Sequence, residues 1–235
     1  MFDGRWRTSV DRVTEPAATM LRRTGVTADH LTGLGLVLGV ATAVAVGTGR
    51  LGLGLVLLVA SALPDLFDGP LAKATGTAGP RGAFFDSVAD RVTDALVLGG
   101  IGWYLASEHG GHAALLPFAV LAASGLISYE RAKAESLGYA AKGGLMERAE
   151  RIIALSFGLL FSALLVPVLW LTLALTVATA AQRFVKVWRQ AAVVAPTRRR
   201  VVRTAPEGRW RAWRDSAVRS GRSRRQPWRA RAVRG

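Results

Sequence analysis

The sequence predicts an all-α fold: a polytopic membrane protein with six transmembrane helices and a short N-terminal juxtamembrane amphipathic helix. Two observations carry that reading. The chain is 51% hydrophobic with a mean hydropathy of +0.28, yet it holds 31 Lys+Arg against 16 Asp+Glu. Apolar spans joined by basic loops fit that mixture better than a water-soluble globule does. The apolar residues also fall into six segments whose polar ends share one side of an up-and-down bundle. Several purely apolar runs are shorter than the roughly 20 residues of a bilayer crossing, so buried helices of a soluble protein are the competing fold.

Taken in order, residues 1–12 lack the apolar core of a signal peptide, and insertion is expected from internal segments. TEPAATMLRRTG then reads as a short helix, with Thr14 as its cap, Pro16 in its first turn and Gly25 as its stop. Val10, Val13, Ala17, Met20 and Leu21 oppose Arg22 and Arg23, the pattern of a helix lying on a membrane surface. The spans follow at 31–49, 51–63 with a polar continuation, 83–106, 113–137, 148–166 and 167–186, the last two meeting at Val166-Pro167. Their polar ends hold Asp65/Asp68, Asp86/Asp90, Arg131/Lys133, Arg148/Arg151 and Arg183. Basic residues concentrate on that same side, so the positive-inside rule places it, and both termini, in the cytoplasm. The expected localisation is the cell membrane.

Residues 1–189 read as one membrane domain and 190–235 as a basic, largely disordered tail. The tail carries 14 Arg and only two acids, Glu207 and Asp215. Its prolines and its weak apolar periodicity argue against a packed fold. Trp210, Trp213 and Trp228 among the arginines suit an anionic lipid surface. Nucleic acid is the less favoured partner, because no recognised binding module accompanies the charge. With no cysteine and three scattered histidines (His30, His109, His112), thiolate metal sites and His clusters are not expected.

The chemistry concentrates between spans two and three, in the pattern D-x-x-D-G-x-x-A-K, eight residues, G-x-x-x-D-x-x-x-D. Asp65 and Asp68 are three apart, and Asp86 and Asp90 four apart, so on helices each pair shares a face. Ionisable groups at membrane depth normally line a functional cavity. Four carboxylates brought together repel, and divalent cations between them relieve the repulsion. Oxygen-only ligands favour Mg²⁺ or Mn²⁺, and Mg²⁺ typically shares its site with substrate phosphates. Gly69 and Gly82 allow close approach of a phosphate or nucleotide to the backbone, while Lys73 and Arg81 offer charge to it. The plainer reading pairs these acids with Lys73, Arg81 and Arg91. Asp94 continues the Asp86–Asp90 face and reads as a supporting or helix-packing polar residue.

This stretch resembles the signature of the CDP-alcohol phosphotransferase family, departing from it only at Lys73, where the family usually has Arg. Lys keeps the charge but loses the planar fork. The resemblance implies a six-helix membrane enzyme, often a homodimer, that moves a phosphatidyl group from a CDP-linked lipid to an alcohol and releases CMP. By position, Asp65, Asp68, Asp86 and Asp90 would hold two Mg²⁺ ions, with Asp90 also the general base. Gly69, Lys73 and Gly79, with Asp29, His30, Leu31 and Thr32, would contact the CDP-lipid. Helix capping is the simpler explanation for Asp29 and Thr32.

The segments ISYERAKAESLG (127–138), GGLMERAERI (143–152) and AAQRF (180–184) look like those of actinobacterial phosphatidylinositol phosphate synthases. That likeness implies CDP-diacylglycerol and inositol 1-phosphate as substrates. It also implies that Lys133, Arg148, Arg151 and Arg183 grip the acceptor phosphate, a role that favours Arg; the simpler reading is positive-inside anchoring. Glycerol 3-phosphate or another alcohol is the alternative acceptor. A membrane ion transporter and a nucleic-acid tether are the rivals from other classes.

Overall fold

A computed structural model describes residues 25–108, 111–141 and 143–193. The expected amphipathic helix before residue 25, His109, Lys142 and the tail beyond 193 lie outside the described residues. Among the described residues six α-helices follow one another: α1 (Ala28–Gly47), α2 (Leu51–Thr75), α3 (Pro80–Glu108), α4 (Leu115–Ser136), α5 (Arg148–Leu160) and α6 (Leu165–Val193). Single 3-10 turns at Gly111–Ala114 and Ser162–Leu164 lead into α4 and α6.

Local chemistry explains most of the boundaries. Thr27 caps α1, its Oγ1 accepting from the His30 amide while the Thr27 amide donates to His30 Nδ1. The cap is therefore Thr27, not Asp29 or Thr32. Thr32 instead donates to the Ala28 carbonyl at 3.2 Å. α2 runs through Pro64 and Pro70 to Thr75, far past the apolar run, and turns at Gly76 with φ +70°. Pro80, whose missing N–H costs nothing in a first turn, opens α3.

Two expectations about the last pair of spans need correction. The predicted span 148–166 is a helix of only 13 residues, ending at Leu160. The break falls at Phe161–Leu164 rather than at Val166-Pro167, because a proline is accepted in the first turn of α6. α6 itself continues past residue 189 to Val193.

Among the described residues, four segments are long and apolar enough to cross a bilayer: Ala28–Gly47, Leu51–Ala72, His112–Ser136 and Ser162–Ala192. The distribution of residue types is that of a lipid-embedded bundle. Large apolar side chains such as Val37, Val56, Phe118, Trp170 and Leu171 are exposed. Inside, Thr42, Ser61, Ser124, Thr176 and Thr179 are buried, each hydroxyl donating to a carbonyl of its own helix. Small polar interiors and apolar exteriors let membrane helices approach closely. α1 approaches α3 closely where a Cβ on Gly100 would lie 2.6 Å from the Ala43 carbonyl oxygen. A core of Val46, Leu58, Leu98, Ile101, Val120, Leu155 and Leu169 joins all six helices.

Candidate active site

The site forms where the polar ends of α2 and α3 meet the start of α5. Helical spacing places Asp65 and Asp68 on one face of α2, and Asp86, Asp90 and Asp94 on one face of α3. Asp65, Asp68 and Asp86 each bring a carboxylate oxygen within 4.8 Å of the others. Asp68 Oδ2 is buried with no hydrogen-bond partner among the described residues. A buried anionic oxygen left in that condition is costly. The all-oxygen donor set and the orphaned oxygen both fit a hard divalent cation.

Asp90 does not belong to that group of three. It lies one turn farther along α3, about 6 Å by helical rise, and there it meets Arg148. The Arg148 guanidinium bridges the two helices, donating to Asp65 Oδ2 and lying 2.6 Å from Asp90 Oδ1. Its Nε is 3.8 Å from Asp94 Oδ1. One turn later on α5, Arg151 donates to the other oxygen of Asp94. Arg91, beside Asp90, donates to the Ser87 carbonyl and to Ser128 on α4.

Arg148 and Arg151 are aimed at the acids by the connection between α4 and α5. Gly138 (φ +85°) ends α4, and the Tyr139 amide reaches back to the Ala134 carbonyl. Three residues on one face of α6 then hold the chain. Thr179 Oγ1 accepts from the amides of Leu145 and Met146. Arg183, 4% exposed, donates to the carbonyls of Ile127 and Gly143 and to Glu147. The Gln190 amide pairs with both backbone groups of Ala140. Gly144 is required here, since a Cβ would lie 2.3 Å from Thr179 Cγ2. Glu147, held by Arg183, immediately precedes Arg148.

The remaining predicted residues lie around this centre. Asp29 is exposed beside the start of α3, where a Cβ on Gly82 would stand 4.0 Å from its Oδ1. α1 also passes the acids, for a Cβ on Gly35 would stand 3.9 Å from Asp65 Oδ1. His30 is engaged in the α1 cap, Leu31 is half-buried and Thr32 is buried. Gly69 faces open space on α2: beyond its chain neighbours and its own helix backbone, no atom of the described residues lies within 4 Å of the point a Cβ would occupy. Gly79 lies in the α2–α3 connection, its carbonyl accepting from the Ala83 amide. Lys73 is on α2, and Lys133 is exposed near the end of α4.

Sequence reasoning undervalued Asp94, which takes both arginines, and did not single out Thr179, Glu147 or Gln190. Asp94 had a signal, its four-residue step from Asp90. The 4- and 7-residue steps from Thr179 to Arg183 to Gln190 also mark one face of a helix.

Residues 25–192 match the CDP-alcohol phosphatidyltransferase family. The phosphatidylinositol phosphate synthase of Corynebacterium glutamicum is 35% identical over 182 residues, covering 74% of this chain and 83% of that protein. The archaetidylinositol phosphate synthase of Methanothermobacter thermautotrophicus is 34% identical over 193 residues, covering 79% and 93%. Among solved structures, the Mycobacterium tuberculosis phosphatidylinositol phosphate synthase with CDP-DAG bound has a TM-score of 0.69 at 33% identity, covering 75% of this chain and 94% of that one. The same enzyme in complex with manganese and citrate has a TM-score of 0.68 at 32% identity, covering 74% and 88%. The chain is thus a multi-pass membrane protein and belongs to the CDP-alcohol phosphatidyltransferase family.

Proposed function

We propose that this protein transfers the phosphatidyl group of CDP-diacylglycerol to inositol 1-phosphate, giving phosphatidylinositol phosphate and CMP. The observation that carries the reading is the placement of Arg148 against Asp65 and Asp90 beside the converging carboxylates, with Arg151 one turn on against Asp94. A site for a cationic metal stands beside groups suited to a second, anionic phosphate. An unphosphorylated alcohol has no use for such a pair of guanidinium groups. Two relatives also share an inositol phosphate in their names while differing in the lipid, phosphatidyl in one and archaetidyl in the other.

In this mechanism Asp65, Asp68, Asp86 and Asp90 would hold two Mg²⁺, or Mn²⁺, and the ions would supply charge neutralisation for the pyrophosphate. Gly69, with open space beside it, would admit the CDP moiety, and Lys73, Gly79 and the segment Asp29–Thr32 would contact that moiety. Lys133, Arg148, Arg151 and Arg183 serve the acceptor phosphate. Asp90 accepts the proton of the acceptor hydroxyl. The hydroxyl oxygen attacks the phosphorus bearing diacylglycerol, and the bond from that phosphorus to CMP breaks, its electron pair leaving with CMP. No side-chain nucleophile is needed.

Six crossings would place both termini on the cytoplasmic side with the acids, as the basic residues favour. The unit is proposed to be 1–189 with a separate Arg-rich tail, assembled as a homodimer. The test is CMP release from CDP-diacylglycerol with separate acceptors, using the protein in detergent or vesicles. Stimulation by inositol 1-phosphate is the expected result; stimulation by glycerol 3-phosphate alone would assign the other acceptor.

A further inference from the structure

Arg148 draws on carboxylates that a metal site also needs. Its guanidinium takes one oxygen of Asp65 and lies 2.6 Å from one oxygen of Asp90. Asp65 is at the same time one of the three residues whose oxygens converge with the orphaned Asp68 Oδ2. The Arg148 side chain is about one quarter exposed, so water screens it only in part. A divalent ion on Asp65 would face a guanidinium on the same carboxylate, and at such separations the repulsion is large wherever the dielectric is below that of water.

Arg148 is also built to leave. Its Nε is buried without a hydrogen bond among the described residues, 3.8 Å from Asp94 Oδ1. Arg151, three residues on, is 7% exposed and anchored to Asp94. Asp94 thus offers a pivot beside which the Arg148 head can swing, while Arg151 keeps a second positive charge in place.

We propose that cation binding to the carboxylates and the Arg148 contacts with Asp65 and Asp90 exclude one another, so that metal loading releases Arg148 to grip the acceptor's phosphate. The second half rests on the reaction proposed above; the competition does not. Linkage makes the effect reciprocal: an anion that draws Arg148 away tightens metal binding by the same factor.

The test uses the full chain in detergent, with free Mn²⁺ followed by its electron paramagnetic resonance signal. Arg148→Gln is expected to bind Mn²⁺ about tenfold more tightly than wild type, the scale of one charge-assisted hydrogen bond. Arg148→Lys keeps the charge without the fork that reaches two carboxylates, and its affinity is expected between the two; it carries the test if Arg148→Gln does not fold. Inorganic phosphate is expected to tighten Mn²⁺ binding to wild type, and less so to Arg148→Gln. Unchanged or weaker Mn²⁺ binding by the variants overturns the competition. An equal phosphate effect in wild type and Arg148→Gln overturns the release. A loss of Tm that is the same with and without Mn²⁺ marks a purely structural ion pair and also overturns the proposal. CMP is not read, so a wrong acceptor assignment and a wrong competition give separable results.

Discussion

Arg151 on α5 donates to Asp94 on α3, and neither residue belongs to the sequence signature that marks the site. The arginine side chain is 7% exposed. Removing one partner of such a pair leaves a buried charge unbalanced, which typically costs about 3–5 kcal/mol. Asp94→Ala is therefore expected to lower stability on that scale in thermal unfolding. The double variant Asp94→Leu, Arg151→Met is expected to recover most of the stability and none of the CMP release.

Gly100 and Gly69 make opposite predictions. A methyl group at Gly100 meets Ala43 backbone at 2.6 Å, so Gly100→Ala must push α1 away from α3. A cost of about 1–3 kcal/mol is expected from the overpacking. Gly69→Ala meets no atom of the described residues beyond its own stretch of helix and removes a flexible residue from a helix interior. It is expected to leave stability unchanged or raise it by about 0.5–1 kcal/mol, while raising the KM for CDP-diacylglycerol. Thermal unfolding and CMP release on both variants separate the two roles.

Asp90→Asn keeps the shape of the side chain and removes its ability to take a proton. A fall in CMP release of about 10²–10⁴-fold is expected, the usual contribution of a general base. The variant should still bind CDP-diacylglycerol, which isothermal titration checks.

Metal dependence gives a fourth test. Chelation with EDTA is expected to abolish CMP release, and added Mg²⁺ or Mn²⁺ to restore it. Asp68→Asn neutralises the residue whose Oδ2 is buried without a partner among the described residues. It is expected to weaken Mn²⁺ binding by at least the roughly 10–100-fold lost when a supporting group of a metal site is removed.

The helical class and most of the helix positions were legible because apolar runs, glycines and prolines act locally. Gly76 and Pro80 delimit α2 and α3 whatever else surrounds them. The end of α5 was not legible, since Pro167 marks a boundary in sequence but fits the first turn of α6. Nor was the cap of α1, because Asp29, Thr32 and Thr27 all carry capping side chains. Only the backbone geometry selects Thr27.

The sequence by itself determined which carboxylates share a face, because 3- and 4-residue steps on a helix leave no other choice. It also determined the family, since the signature is a matter of residue type and spacing. Tertiary structure alone decided that Arg148 joins Asp65 across 83 residues, and that Asp94 takes Arg151 across 57. Those meetings depend on where α5 crosses α2 and α3. That crossing is set by the grip of Thr179, Arg183 and Gln190 on the chain before it. Periodicity along one helix carries no record of the distance to another.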